Sequence, residues 1–165
     1  MKRVAVLGGG IGGVETAIDL QKYGFDVELV SDRDYLFVYP LAIWIPTGEA
    51  TKDEVSVPLE KLAHAHGFRL TVDEVTEIRA ADRAFVLKKG GVRRDFDYLV
   101  VAMGGHKVPH KGKEHVFTIC GDPEENQLLK ARVDELVARG GGRIAVGFGG
   151  NPKDSSGVRG GPAFE

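Results

Sequence analysis

Six residues, Gly8-Gly9-Gly10-Ile11-Gly12-Gly13, follow directly on the apolar run Val4-Ala5-Val6-Leu7 and constrain the fold more than any other feature. A short all-apolar run is what a strand buried on both faces requires. Val14 to Tyr23 has a helical pattern, with Ala17, Ile18 and Leu20 on one side. Gly24 follows where a helix end takes a positive φ. Val27, Leu29 and Val30 supply a second strand, so the opening is predicted to be a βαβ unit. Gly8, Gly10 and Gly13 match G-x-G-x-x-G at the strand-to-helix junction. Gly8 allows the tight turn, Gly10 lets a pyrophosphate approach the backbone, and Gly13 permits close helix packing. The helix N-terminus offers free N–H groups to the phosphates. The motif in this context predicts a dinucleotide-binding turn.

Such turns are completed by an acidic residue about 20 positions on, which holds a ribose hydroxyl. Asp32 lies 19 residues past Gly13, between Ser31 and Arg33. Ser31 and Asp32 both carry acceptors for ribose hydroxyls. Glu28 is less suited because it sits within the strand pattern.

Composition excludes several other functions. Lys and Arg total 22 against 24 Asp and Glu, a net charge of −2. That balance gives no case for nucleic acid or an anionic membrane as partner. The single cysteine, Cys120, excludes an internal disulfide framework and a four-cysteine zinc site. His64 and His66, two apart, point away from each other on a helix, and His106, His110 and His115 read as loop residues, so no metal is expected. The longest apolar stretch, Leu36 to Pro46, holds two prolines and is too short for a membrane helix. Met1-Lys2-Arg3 runs straight into the first strand, so no signal peptide is read and a soluble cytoplasmic protein is expected.

Further along, Tyr35 to Pro40 is rich in aromatics, and Pro40 and Pro46 argue against one regular element. A short helix is expected around Leu59 to Ala65. Leu70 to Val72 reads as a strand that Val75 to Ile78 continues. Ala84 to Lys88 and Val92 to Phe96 flank Lys89-Gly90-Gly91 as a hairpin, its basic tip of Lys88, Lys89, Arg93 and Arg94 solvated. Tyr98 to Ala102 is another fully apolar strand. Asp122-Pro123-Glu124-Glu125 reads as a capping box opening a helix with a stripe of Leu128, Leu129, Val133, Leu136 and Val137. Gly140-Gly141-Gly142 ends it, and Ile144-Ala145-Val146 starts a strand before a second, imperfect glycine turn at Gly147.

Three segments together, Val4 to Gly13, Leu29 to Arg33 and Phe96 to Gly104, resemble flavoproteins with two dinucleotide-binding domains, the FAD-dependent pyridine nucleotide-disulfide oxidoreductases. More narrowly they look like the branch of sulfide:quinone oxidoreductase and flavocytochrome c sulfide dehydrogenase. Tyr39-Pro40, Val55 to Leu59, Thr118-Ile119-Cys120 and Gly161 to Glu165 extend the resemblance over nearly the whole chain. It implies an α/β, Rossmann-like, three-layer FAD-binding fold with a β-meander, plus the start of a second Rossmann-like domain. Residues 1–110 would form the first and 111–165 a linker helix and the start of the second.

The resemblance further implies FAD as cofactor. Gly8, Gly10, Ile11, Gly12 and Gly13 would hold its pyrophosphate, and Ser31, Asp32 and Arg33 its ribose and adenine. Val75 would lie beside the adenine, Pro40 near the isoalloxazine, and Ala102-Met103-Gly104 would approach from the strand end. Met103 stands where the family usually has Thr.

Sulfide-oxidising members use a pair of redox cysteines. Arg159 occupies the position of one, and its partner would lie past Glu165, so this chain does not supply the pair. Cys120 matches an additional cysteine and reads as a structural thiol more than a redox group. The interrupted second glycine turn argues against strong NAD(P)H binding. The implied parent passes electrons from a small reductant through FAD to a quinone-like acceptor. The alternatives are an NAD(P)H-dependent flavoprotein reductase of the type II NADH dehydrogenase kind, or a non-catalytic nucleotide-binding fragment. A peripheral membrane location is implied for the parent, and a homodimer is the assembly expected of a chain exposing apolar surface.

Overall fold

The computed structural model describes residues 1–105, 112–118 and 122–147. They fall into two compact units, Met1–Val38 with Ser56–Val108, and Tyr39–Val55 with Pro109–Glu165.

The first unit is built on a four-stranded parallel sheet in the order β5-β2-β1-β9. Strand β1 (Arg3–Leu7) leads through the glycine turn into helix α1 (Ile11–Lys22), which returns the chain to β2 (Asp26–Ser31). The helix starts at Ile11, three residues before its apolar pattern, because Gly12 and Gly13 continue its first turn. At its other end Gly24 has φ 82°. A two-stranded ribbon, β3 (Tyr35–Phe37) with β4 (Ser56–Pro58), and helix α3 (Leu59–His66) then lead to β5 (Arg69–Val72).

Side-chain alternation in the sheet sorts the core into two layers. Val4, Val6, Val27 and Leu29 pack on Val14, Ala17 and Ile18 of α1 and Leu59 and Ala63 of α3. Ala5, Leu7 and Val30 face the other way, onto Phe85 and Leu87. Those two belong to a three-stranded antiparallel meander, β6 (Val75–Arg79), β7 (Ala84–Leu87) and β8 (Gly91–Arg93). Helices, sheet and meander make the three layers expected.

Three expectations for this unit need correction. Val75 to Ile78 does not continue β5 but leaves the parallel sheet for the meander. Asp73 turns the corner. Its N–H donates to the Ser31 carbonyl at 2.8 Å, and its carboxylate accepts from the backbone N–H groups of Glu74, Lys89 and Gly90. The hairpin stands at Lys89-Gly90, but Arg93 is not part of a solvated tip. It reaches the nearly buried Glu28 of β2 at 2.8 Å, and Thr71 donates to the other Glu28 oxygen at 2.7 Å. Thirdly, β9 (Tyr98–Val101) is a sheet edge rather than a buried strand, so Tyr98 is 54% and Val101 56% exposed. Ser31, at the end of β2, is buried. Asp97 ties β9 to β1 by accepting from the Arg3 N–H at 2.8 Å and the Lys2 ammonium at 2.9 Å, which hold its carboxyl below the usual range.

The second unit contains a 3-10 turn at Tyr39–Leu41, helix α2 (Trp44–Thr47), a second 3-10 turn at Lys113–His115 and helix α4 (Pro123–Ala138). No single element spans the aromatic stretch, as expected: Pro40 stands within the first 3-10 turn and Pro46 within α2. Pro123 takes the first turn of α4, but the capping box does not form. Glu125 instead accepts from the Thr118 N–H at 2.9 Å and pairs with Lys113. The apolar stripe of α4 is not buried as a whole: Pro123 and Asn126 are, while Leu128 and Val137 are exposed. Ile144 to Val146 forms no strand, having no partner strand among the described residues, and Ile144 and Val146 are about two-thirds exposed. Gly147 is described without regular structure, and the rest of the second glycine turn, with Arg159 and Gly161 to Glu165, lies outside the described residues.

Two predictions follow from the ties between layers. Arg93→Met leaves the Glu28 carboxylate buried without its counter-charge and is expected to cost about 3 kcal/mol in urea unfolding, against less than about 1 for removing the charge of the exposed Asp95, which pairs with Arg93 Nε at 3.0 Å, by Asp95→Asn. The second concerns Asp73. Burial raises its pKa, the backbone N–H groups of Gly90, Glu74 and Lys89 outweigh this, and the net pKa is lowered. A lowered folded-state pKa contributes stability above the unfolded value of about 3.9, lost as pH falls through the folded value. Asp73→Asn should therefore melt below wild type at pH 7, and the gap should close below about pH 4.

Candidate functional site

Leu7 of β1 and Val101 of β9 are paired in register, and both strands end at the same edge of the sheet. The strand order changes direction at β1, since β2 lies on one side and β9 on the other. In open α/β sheets the crevice outside the carboxyl ends at such a switch point is where ligands bind.

Backbone hydrogen bonds and close backbone contacts hold both ends of the glycine turn here. Gly8 has φ 116°, and its N–H donates to the Val30 carbonyl at 2.8 Å. The Ala102 N–H donates to the Leu7 carbonyl at 2.8 Å, which brings Ala102 over the turn. A Cβ on Gly8 would stand 2.3 Å from the Ala102 oxygen, and one on Gly13 would stand 1.8 Å from the Gly8 oxygen. Only glycine fits either place.

Gly10 and Gly12 differ, because a Cβ on either would meet no protein atom within 4 Å. Gly10 caps α1 with an extended backbone and no side-chain hydrogen bond, and no acidic residue stands in the first turn. Val14 donates the first bond of the helix, to Gly10, so the N–H groups of Ile11, Gly12 and Gly13 precede the intrahelical ladder. Close-packed glycines behind and open glycines in front make a cradle that fits an anionic diphosphate.

At the end of β2 the three residues Ser31, Asp32 and Arg33 take different places. Ser31 is 2% exposed, and its Oγ accepts the Arg33 N–H at 3.3 Å. The Asp32 side chain is 64% exposed, leaving its carboxylate open to solvent and ligand. Arg33 Nε approaches Asp32 at 3.4 Å, and the guanidinium lies 5.7 Å over the Tyr35 ring. Burial alone would lower the Arg33 pKa, but the charge and hydrogen bond of Asp32 outweigh it and raise the net value. The corner thus combines an exposed carboxylate with a planar cation, both suited to an adenosine.

The other expected residues are less gathered. Val75 opens β6 opposite Leu87, packed beside the meander core. Met103 and Gly104 follow Ala102 and are exposed, Gly104 at φ 72°. Pro40 is exposed in the second unit. Cys120, His106 and His110 lie outside the described residues, and His64 and His66 are both exposed on α3. Two residues the sequence did not single out belong to the site's framework: Gly9, seated on Ser31, and Asp73, bonded to the Ser31 carbonyl. The signal for Gly9 was a glycine that G-x-G-x-x-G does not require.

The family model described as pyridine nucleotide-disulphide oxidoreductase matches residues 2–154. A sulfide-quinone reductase of Aquifex aeolicus is 31% identical over 143 residues, covering 85% of this chain and 33% of that protein. A type II NADH:quinone oxidoreductase of Staphylococcus epidermidis is 28% identical over 170 residues, covering 99% of this chain and 40% of its own length. The X-ray structure of the Aquifex aeolicus sulfide:quinone oxidoreductase superposes with a TM-score of 0.76 and 29% identity, over 84% of this chain and 33% of that one. The chain therefore spans a third to two-fifths of the length of these relatives.

The glycines should separate by substitution. Gly13→Ala must displace backbone and is expected to destabilise by about 3 kcal/mol in denaturant unfolding. Gly10→Ala projects into open space and should leave the unfolding midpoint within the range of a surface change, about 0.5 kcal/mol.

Proposed function

We infer that this chain, which belongs to the pyridine nucleotide-disulphide oxidoreductase family, forms the FAD-binding part of an oxidoreductase that reduces a quinone. The observation that carries the reading is the cradle at the switch point, with Gly8, Gly13 and Ala102 packed behind it and Asp32 open beside it. The 31% identity to a sulfide-quinone reductase supports the acceptor class and favours a small inorganic reductant as donor. In this reading residues 1–110 are the FAD-binding domain, and 111–165 are a linker helix with the start of a second dinucleotide-binding domain.

Within that assignment Gly8, Gly10, Ile11, Gly12 and Gly13 hold the pyrophosphate through backbone N–H groups and the helix dipole. The corner of Ser31, Asp32 and Arg33 takes the adenosine, Asp32 accepting from ribose hydroxyls and Arg33 lying flat against the base. Val75 borders the adenine, and Ala102-Met103-Gly104 closes on the cofactor from the end of β9. FAD bound there would supply the two-electron carrier between donor and quinone. Cys120 takes no part in the electron path. No helix of the described residues is long and apolar enough to cross a membrane, and a quinone acceptor places the parent at a membrane surface from the cytoplasmic side. Two copies pairing through exposed apolar surface is the assembly proposed.

A second reading is favoured by the 28% identity over 99% of this chain to a type II NADH:quinone oxidoreductase. There NADH would be the donor, with FAD in the same cradle.

Calorimetric titration of the chain with FAD and, separately, NADH distinguishes these. Saturable FAD binding is expected, weakened about tenfold or more by Asp32→Ala, as loss of a charged hydrogen-bond acceptor predicts. Gly10→Ala should weaken it while leaving the fold intact. NADH binding with no FAD binding would overturn the flavin assignment, and binding of both would favour the NADH-dependent reading.

A further inference from the structure

We propose that Gly9 and Ser31 form a steric interlock that sets the distance between the phosphate-binding turn and the ribose-binding corner, making Ser31 a positioning residue. The proposal rests on the dinucleotide-binding reading above. A Cβ on Gly9 would stand 2.3 Å from Ser31 Oγ, 2.6 Å from Ser31 Cβ and 2.9 Å from Leu59 Cδ1. The glycine backbone is therefore seated directly on the serine side chain.

Neither partner is free to give way. Ser31 is 2% exposed and ends β2, in register with Val72 of β5. Its carbonyl accepts the Asp73 N–H at 2.8 Å, while Val30, one residue before it, accepts the Gly8 N–H at 2.8 Å. The same serine that supports Gly9 also accepts the Arg33 N–H at 3.3 Å and so fixes the path of Asp32. One buried side chain thus touches the phosphate turn on one side and the ribose corner on the other. A ligand that spans both must match their separation, and that separation is one Ser31 side chain. The hydroxyl acts through its position, and the exposed Asp32 carboxylate is left to meet the ribose.

The interlock predicts a specific pattern of rescue. Gly9→Ala should lower the melting point and weaken FAD binding tenfold or more. Gly9→Ala/Ser31→Gly removes both serine atoms, leaving only the rotatable end of Leu59, and should recover toward the values of Ser31→Gly alone. Gly9→Ala/Ser31→Ala keeps the offending Cβ and should not recover. Adenosine, which reaches only the corner, should lose less than threefold in Gly9→Ala when titrated by NMR shifts, whereas a merely structural loss would weaken both ligands alike.

Gly9→Ala that binds FAD like wild type, a Ser31→Gly double variant that fails to recover, or a parallel loss of adenosine would each overturn the proposal. If wild type binds neither FAD nor NADH, the dinucleotide reading falls and the positioning role with it. The melting points of the four variants would still decide whether the interlock exists.

Discussion

Three backbone segments meet closer than side chains permit, and the first unit is arranged around that meeting. The Gly8 carbonyl lies where a Cβ on Gly13 would be, and the Ala102 carbonyl lies where a Cβ on Gly8 would be. The approach brings helix α1 onto the end of β1 and the end of β9 onto the turn between them. Hydrogen bonds from Gly8 to Val30 and from Ala102 to Leu7 hold the three strand ends level. Two further glycines then face outward with nothing against them. Tight packing on one side of the turn and open space on the other are two consequences of the same absence of Cβ atoms.

Charged groups do the remaining positioning. Glu28 would be an isolated carboxylate in a buried strand without Arg93 and Thr71, and through them it ties the meander to the parallel sheet. Burial of a charge is tolerated only with this kind of compensation. Asp73 provides the same service at the corner between the two sheets, using backbone N–H groups in place of a cation. Asp97 sets the register of β9 on β1 at the end farthest from the cradle. The small net charge of the chain, −2, therefore reflects local pairing rather than an absence of electrostatic structure.

Elements whose signal is local were legible in the sequence. The βαβ opening, the hairpin at Lys89-Gly90, helix α3 and the start of α4 at Pro123 all carry their own turn or periodic pattern. The errors fall where a long-range partner decides the outcome. Nothing in Val72 to Val75 shows that the chain changes sheets at Asp73, because two of the three N–H groups that bind its carboxylate lie 16 and 17 residues on. Arg93 looks like a solvated tip until Glu28, 65 residues earlier, is placed opposite it. Glu125 has a capping-box position but finds Lys113 and the Thr118 N–H instead. Ile144 to Val146 has strand composition and no strand beside it among the described residues. In the site the glycines were legible because each has a distinct steric task. The burial of Ser31 was not, since it follows from Gly9 settling upon it.

The pairing of β1 with β9 has a consequence for the order of assembly. Val4 pairs with Tyr98, whereas Phe85 of the meander pairs with Arg93. Closing the longer loop costs roughly 2 kcal/mol more in chain entropy. During synthesis the glycine turn leaves the ribosome well ahead of Ala102, and Ala102 must also emerge before the cradle can close. For most of the first unit's translation the nascent chain carries the glycine turn without the strand end that closes over it.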